Sequence, residues 1–134
     1  MGLDNGIDIK RNEYSNKIKA LKQFECDWDN KHSYPFEICY WRKSWNIRND
    51  IFNAIASEEN DEYHYELSIY DIQEILKLLK SYNKKTWDYG GWSGSIWTWK
   101  EHKSINRKHI KNLKKLIKLM KQYPELEVYF YDSY

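Results

Sequence analysis

The chain has little of what usually punctuates or staples a small fold: two prolines, five glycines and two cysteines in 134 residues. Cys26 and Cys39 cannot build a disulfide framework, and their neighbours show no metal-ligand spacing. Packing alone must hold the core, and this length is enough for one domain to do so. No apolar run approaches the roughly 20 residues of a membrane-crossing helix, and no signal-peptide pattern is visible. A reduced, cytoplasmic protein that does not engage a membrane is the expectation.

Catalytic signatures are missing as well. There is no phosphate-cradling glycine loop, no Gly-x-Ser-x-Gly elbow and no His-x-x-x-His pair. The histidines, His32, His64, His102 and His109, are scattered, and a lone histidine is more often a surface or core residue than a general base. The acidic run Glu58 to Glu62 lacks the regular spacing and glycine turn of a calcium loop. The reading therefore leans away from an enzyme and assigns no catalytic residue, metal site or cofactor.

What the chain does have is rings and an uneven charge. Seven Trp, twelve Tyr and four Phe exclude global disorder and imply a core whose rings carry polar edges. Nine Lys or Arg against one Glu between Lys100 and Lys121 give a local balance of +8. The whole chain carries +2, so the remainder is acidic at −6.

The patterning predicts a single α+β domain, residues 1–134, with a small, mostly antiparallel sheet and three to four helices packed on it. Strands are expected at Gly2 to Lys10, Tyr63 to Leu67, Ile96 to Trp99 and, by strict alternation, Leu126 to Tyr131. A turn or bulge is expected at Asn5-Gly6. A short helix is expected from Ser15 to Phe24, capped by Ser15 or Asn16. Pro35 is read as opening a central helix that runs from Ile38 to Ala56. Ser68 and Asp71 read as a capping box for a helix to Tyr82, and Ser104 as the cap of a helix to Gln122 that Pro124 ends.

Three places carry the candidate binding residues. On the expected central helix, Trp41, Trp45, Arg48, Phe52 and Ile55 share a face, which puts Arg48 inside an aromatic stripe. Arg48 either packs its stem between rings or pairs with a carboxylate from another element, the preferred reading, or forms with Trp41 and Trp45 a planar, cationic wall for a base or phosphate; Arg42, on the opposite flank, is a further binding candidate. Second, Trp87, Tyr89, Trp92, Trp97 and Trp99 crowd a stretch containing Gly90, Gly91 and Gly94. These rings either close a satellite core or stack on a planar ligand or partner protein. Third, Arg107, Lys108, Lys111, Lys114, Lys115, Lys118 and Lys121 avoid the apolar stripe of Ile110, Leu113, Leu116, Ile117 and Met120. Such a face is usually only solvated, yet it could bind a nucleic-acid backbone without reading bases.

The opening Met1-Gly2-Leu3-Asp4, with Tyr40-Trp41-Arg42-Lys43, Asn46-Ile47 and Phe52, resembles a group of small phage and prophage proteins with no established activity. That group carries a His where this chain has Arg48 and an aromatic where it has Ile51, so a role for that His does not transfer. The resemblance implies a mobile-element origin and no mechanism. Taken together, the sequence points to a non-enzymatic binding protein that acts by occupancy on a host protein or a nucleotide-like ligand. A nucleic-acid-binding module using residues 104–122 is the alternative.

Overall fold

The computed structural model describes residues 4–26, 28–29, 31–55, 59–61, 64–87 and 97–133. Its elements in chain order are β1 (Asp4–Ile9), α1 (Glu13–Asn16), a 3-10 helix (Lys19–Phe24), β2 (Phe36–Arg42), α2 (Trp45–Ala54), β3 (Glu59–Asp61), β4 (His64–Glu66), α3 (Ile69–Ser81), α4 (Lys84–Trp87), α5 (Trp99–Gln122) and β5 (Val128–Ser133). The strands form one sheet in the order β2-β1-β5-β4-β3, every pair antiparallel. The chain is an α+β fold, as its patterning predicts.

Alternation decides which sheet face is buried. Ile7 and Ile9 of β1 lie opposite Phe130 and Val128 of β5, and opposite Cys39 and Phe36 of β2. All six are buried, and they form the floor on which Ile47 and Ile51 of α2, Ile72, Ile75 and Leu79 of α3 and Leu113 and Leu116 of α5 pack. The sheet's other face takes the intervening residues, among them Asp4, Gly6, Asp8, Glu37, Tyr40 and Tyr131.

The largest departure from the sequence reading lies at Ile38 to Ala56. Its first five residues belong to β2, and the helix begins only at Trp45. A register shift opposite Ile7/Asp8 inserts Ile38 as an extra residue, so the apolar spacing Ile38-to-Trp41 imitates a helical step. Lys43, at φ 51°, then turns the chain from β2 into α2. Pro35 accordingly precedes a strand. The acidic residues Glu59–Asp61, expected as loop, pair with β4.

The expected strand Ile96 to Trp99 is also not formed. Thr98 Oγ1 accepts from the Glu101 N–H, and Glu101 Oε1 accepts from the Thr98 N–H, so this capping box starts α5 at Trp99 and Ser104 lies inside the helix. Ile96 lies outside the described residues. Near the N-terminus Asn12, not Ser15 or Asn16, caps α1 in a box with Ser15. The following 3-10 helix buries Leu21 and Phe24, whose three-residue spacing its three-residue turn stacks on one side. The box of Ser68 and Asp71 opens α3 as expected.

β1 runs unbroken through Asn5-Gly6, where a turn or bulge was expected. The glycine is needed for close approach instead. A Cβ at Gly6 would lie 2.5 Å from the Cys39 carbonyl oxygen and 2.7 Å from the Tyr131 ring. Because one neighbour is backbone, Gly6→Ala should cost about 1–3 kcal/mol as an overpacked site. Denaturant melts check this, and an unchanged midpoint would contradict the close packing of Tyr131 over β1.

Candidate functional site

The aromatic-arginine stripe does not form a wall. Trp41 lies on β2, 1% exposed, with its ring 5.0 Å edge-on to His109, so it shares no surface with Arg48. Arg48 lies on α2 with its guanidinium 4.7 Å from the Phe52 ring centroid and 5.3 Å from that of Trp45. Its Nε donates to both oxygens of Asp132 on β5, at 2.8 and 2.9 Å. This is stem packing plus a carboxylate from another element. Arg42 is exposed at the end of β2, in register with Asp4.

Of the Trp-rich stretch, Trp87, Trp97 and Trp99 are described; Tyr89 and Trp92 lie outside the described residues. Trp87 is buried, stacks on His102 with centroids 3.9 Å apart, and donates its Nε1–H to the Trp97 carbonyl. Trp99 packs partly buried beside it. Trp97 is 40% exposed.

These rings border a polar interior. His102, Asn106 and His109 recur at four and three residues along the buried side of α5, ahead of Leu113 and Leu116. His102 Nε2, Asn106 Oδ1 and His109 Nδ1 have no hydrogen-bond partner among the described residues, and neither do Trp41 Nε1 and Asn46 Oδ1. Burial holds both histidines neutral: it lowers His102 to about 4 and His109 to about 3, the latter helped by His102 and Lys108. His109 Nε2 accepts a long hydrogen bond from the Tyr40 N–H, which places the ring proton on Nδ1. That tautomer is the wrong one for a metal ligand at Nδ1. Among the described residues no group of three or more His, Cys, Asp or Glu is placed to hold a metal ion.

The basic face of α5 leads to an open site. Arg107, Lys108, Lys111, Lys114, Lys115 and Lys118 are all exposed. Lys108, Lys111 and Lys115, spaced three and four apart, line a groove of about 560 Å3 between α5, the outer edge of β2 and the segment after the 3-10 helix. The β2 edge is not free for strand addition there, because Asn112 Nδ2 donates to the Ile38 carbonyl and His109 takes the Tyr40 N–H. Glu37, Tyr40, Cys26 and Trp28 also line the groove.

Trp28 is 65% exposed, an unusual position for so large a ring. Its segment is fastened on both sides. Asp29 accepts from the Ser33 and Tyr34 N–H groups, bonds that keep its carboxyl below the usual range although burial acts the other way. Arg11 Nε donates to the Tyr34 carbonyl, and Tyr34 meets Trp28 edge-on at 4.5 Å. Lys115 Nζ donates to Oε1 of Gln23, which also lines the groove, at 3.0 Å.

Electrostatically the β2 wall is unlike the α5 wall. Cys26 Sγ donates to Glu37 Oε2 at 3.4 Å, and burial together with that bond pushes the thiol up to about 11. Tyr40 Oη donates to Asp4 Oδ1, and burial plus this bond push the phenol up to about 12. Neither group is a nucleophile near neutral pH.

The lysines are legible in the sequence as a basic face, whereas Trp28, Glu37, Tyr40 and Cys26 are not legible there as their neighbours. The one available signal was a tryptophan inside the polar, turn-rich run Cys26 to Tyr34. Among the described residues no helix is long and apolar enough to cross a membrane. Comparison with protein-family models, curated proteins and solved structures finds no match to this chain.

Proposed function

We propose that the chain is a non-enzymatic binding protein that acts by occupancy and takes a nucleotide-like ligand in the groove between α5 and β2. One observation carries this reading: Lys108, Lys111 and Lys115 share a groove with the exposed rings of Trp28 and Tyr40. Lysines supply point charges for phosphate, and a tryptophan face supplies stacking for a base. The groove volume lies within the usual range for small-molecule sites. The resemblance to phage and prophage proteins supports a mobile-element origin, in which sequestering a host nucleotide in the cytoplasm would be the biological effect.

At about 0.3 kcal/mol per non-hydrogen atom, a ligand of roughly 23 such atoms gains about 7 kcal/mol, a Kd on the order of 10 µM. Titration of tryptophan fluorescence with a panel of nucleotides should show saturable binding in that range. Replacing Lys108, Lys111 and Lys115 by Glu should weaken it about 100-fold or more, near 1 kcal/mol for each lost cation. Absence of binding across the panel, or binding indifferent to the triple change, would remove the reading.

A second reading is favoured by the cations outside the groove, Arg107, Lys114 and Lys118, which extend the basic face along α5. As a nucleic-acid surface it predicts affinity that falls steeply with salt. Lys114→Glu with Lys118→Glu separates the two. It should weaken nucleic-acid binding and leave nucleotide binding in the groove within twofold.

A further inference from the structure

The groove carries a carboxylate, Glu37, in the same lining as Lys108, Lys111 and Lys115. Glu37 lies directly opposite Asp8 across β1 and β2, both on the sheet face turned away from Ile7 and Ile9. Like charges placed directly opposite on neighbouring strands repel. Burial settles the conflict, with Glu37 adding to it: Asp8 is pushed up to about 8 and holds its proton at pH 7. Glu37 is the member of the pair that lines the groove. Glu25, the other carboxylate lining the groove, has partners of its own, since Arg11 and His32 lie 3.7 and 3.4 Å from it.

A carboxylate beside three lysines weakens the hold on phosphate alone. It helps only a ligand that brings hydrogen-bond donors to meet it, and a site with such an acceptor rejects ligands lacking the donor. We propose that Glu37 is the specificity-determining residue of the groove, accepting hydrogen bonds from the hydroxyl or amino groups of a nucleoside diphosphate whose phosphates lie on Lys108, Lys111 and Lys115. The inference rests on the groove reading and names its ligand class: phosphorylated nucleosides, selected over inorganic phosphates. The Cys26 thiol at 3.4 Å keeps the Glu37 carboxylate oriented, and the protonated Asp8 behind it spares the groove a second negative charge.

Two probes with the same phosphates test it: inorganic pyrophosphate and the diphosphates of the four common ribonucleosides, titrated at pH 7 against tryptophan fluorescence. Glu37→Gln should weaken at least one nucleoside diphosphate tenfold or more and tighten pyrophosphate about two- to threefold. Glu37→Asp, which keeps the charge but shortens the reach, should weaken the nucleoside diphosphate without tightening pyrophosphate. Effects of opposite sign are the signature. Both ligands gaining alike on Glu37→Gln would make Glu37 only a background charge and overturn the proposal, as would unchanged nucleoside diphosphate binding. Failure of the groove itself looks different: neither probe binds the unaltered protein, or Lys108→Glu with Lys111→Glu changes nothing, and the proposal falls with it.

Discussion

Arg48→Met should destabilise the protein by about 3–5 kcal/mol, lowering the melting temperature by roughly 11–18 °C for a chain of this size. The reason is the exposure of the partner. The Asp132 side chain is only 4% exposed, and both its oxygens accept from Arg48 Nε. Methionine keeps the stem between Trp45 and Phe52 but leaves the carboxylate buried without its charge partner. Replacing both members of a buried pair is far milder than breaking it, so Arg48→Met with Asp132→Asn should recover most of the loss. Thermal melts of the three variants check this. Groove binding by the single variant, measured where it is still folded, should match the unaltered chain.

Stability should peak near pH 6.5 and fall on both sides. His102 and His109 have folded values near 4 and 3, below their ordinary 6.5. Unfolded chains therefore bind two more protons as pH drops below 6.5, and the stability present above that value is lost toward pH 4. Asp8 acts with the opposite sign. Its folded value near 8 stands above 3.8, so its contribution is present at low pH and is lost as pH rises to 8. Between pH 8 and 6.5 the Asp8 contribution sets the slope, and acidification stabilises by about 1.4 kcal/mol per unit. Below 6.5 two histidines outweigh one aspartate, and about the same slope is lost with each unit. Between pH 6.5 and 4.5 the net loss should be about 2–3 kcal/mol. Denaturant titrations across pH test this. In His102→Gln with His109→Gln stability should keep rising as pH falls to 4.5, whereas a fall equal to that of the unaltered chain would place the acid sensitivity elsewhere.

The sequence is most legible where one element answers to one pattern. α3 follows its apolar stripe and its Ser68–Asp71 box, and β5 follows strict alternation at Val128 and Phe130. It misleads where local signals compete. At Ile38 to Trp41 a single bulged residue turns a period of two into an apparent step of three, and a strand reads as helix. At Thr98 a capping box outweighs the strand preference of the aromatic residues around it. The buried histidines follow the same logic, since a four-and-three spacing that is polar looks like scatter until the helix is seen to begin at Trp99.

The groove is less legible for a different reason. Lys108 and Lys111 are visible on the helix, but Glu37 and Trp28 reach them across about 70 residues or more through a covered sheet edge. No local pattern encodes such a pairing. The Trp-Arg stripe drew attention because it is contiguous in sequence, whereas its members divide between the β2 interior and the α2–β5 ion pair.

The most direct test of the groove as the binding site uses the indole N–H resonances of the seven tryptophans, assigned by single replacement with Phe and followed during titration with a nucleoside diphosphate. Binding in the groove predicts that the Trp28 signal shifts saturably with ligand while those of the buried Trp41 and Trp87 hold their positions. Movement of Trp41, Trp45 or Trp87 with a silent Trp28 would contradict it and return the site to the aromatic stripe or the tryptophan-rich stretch.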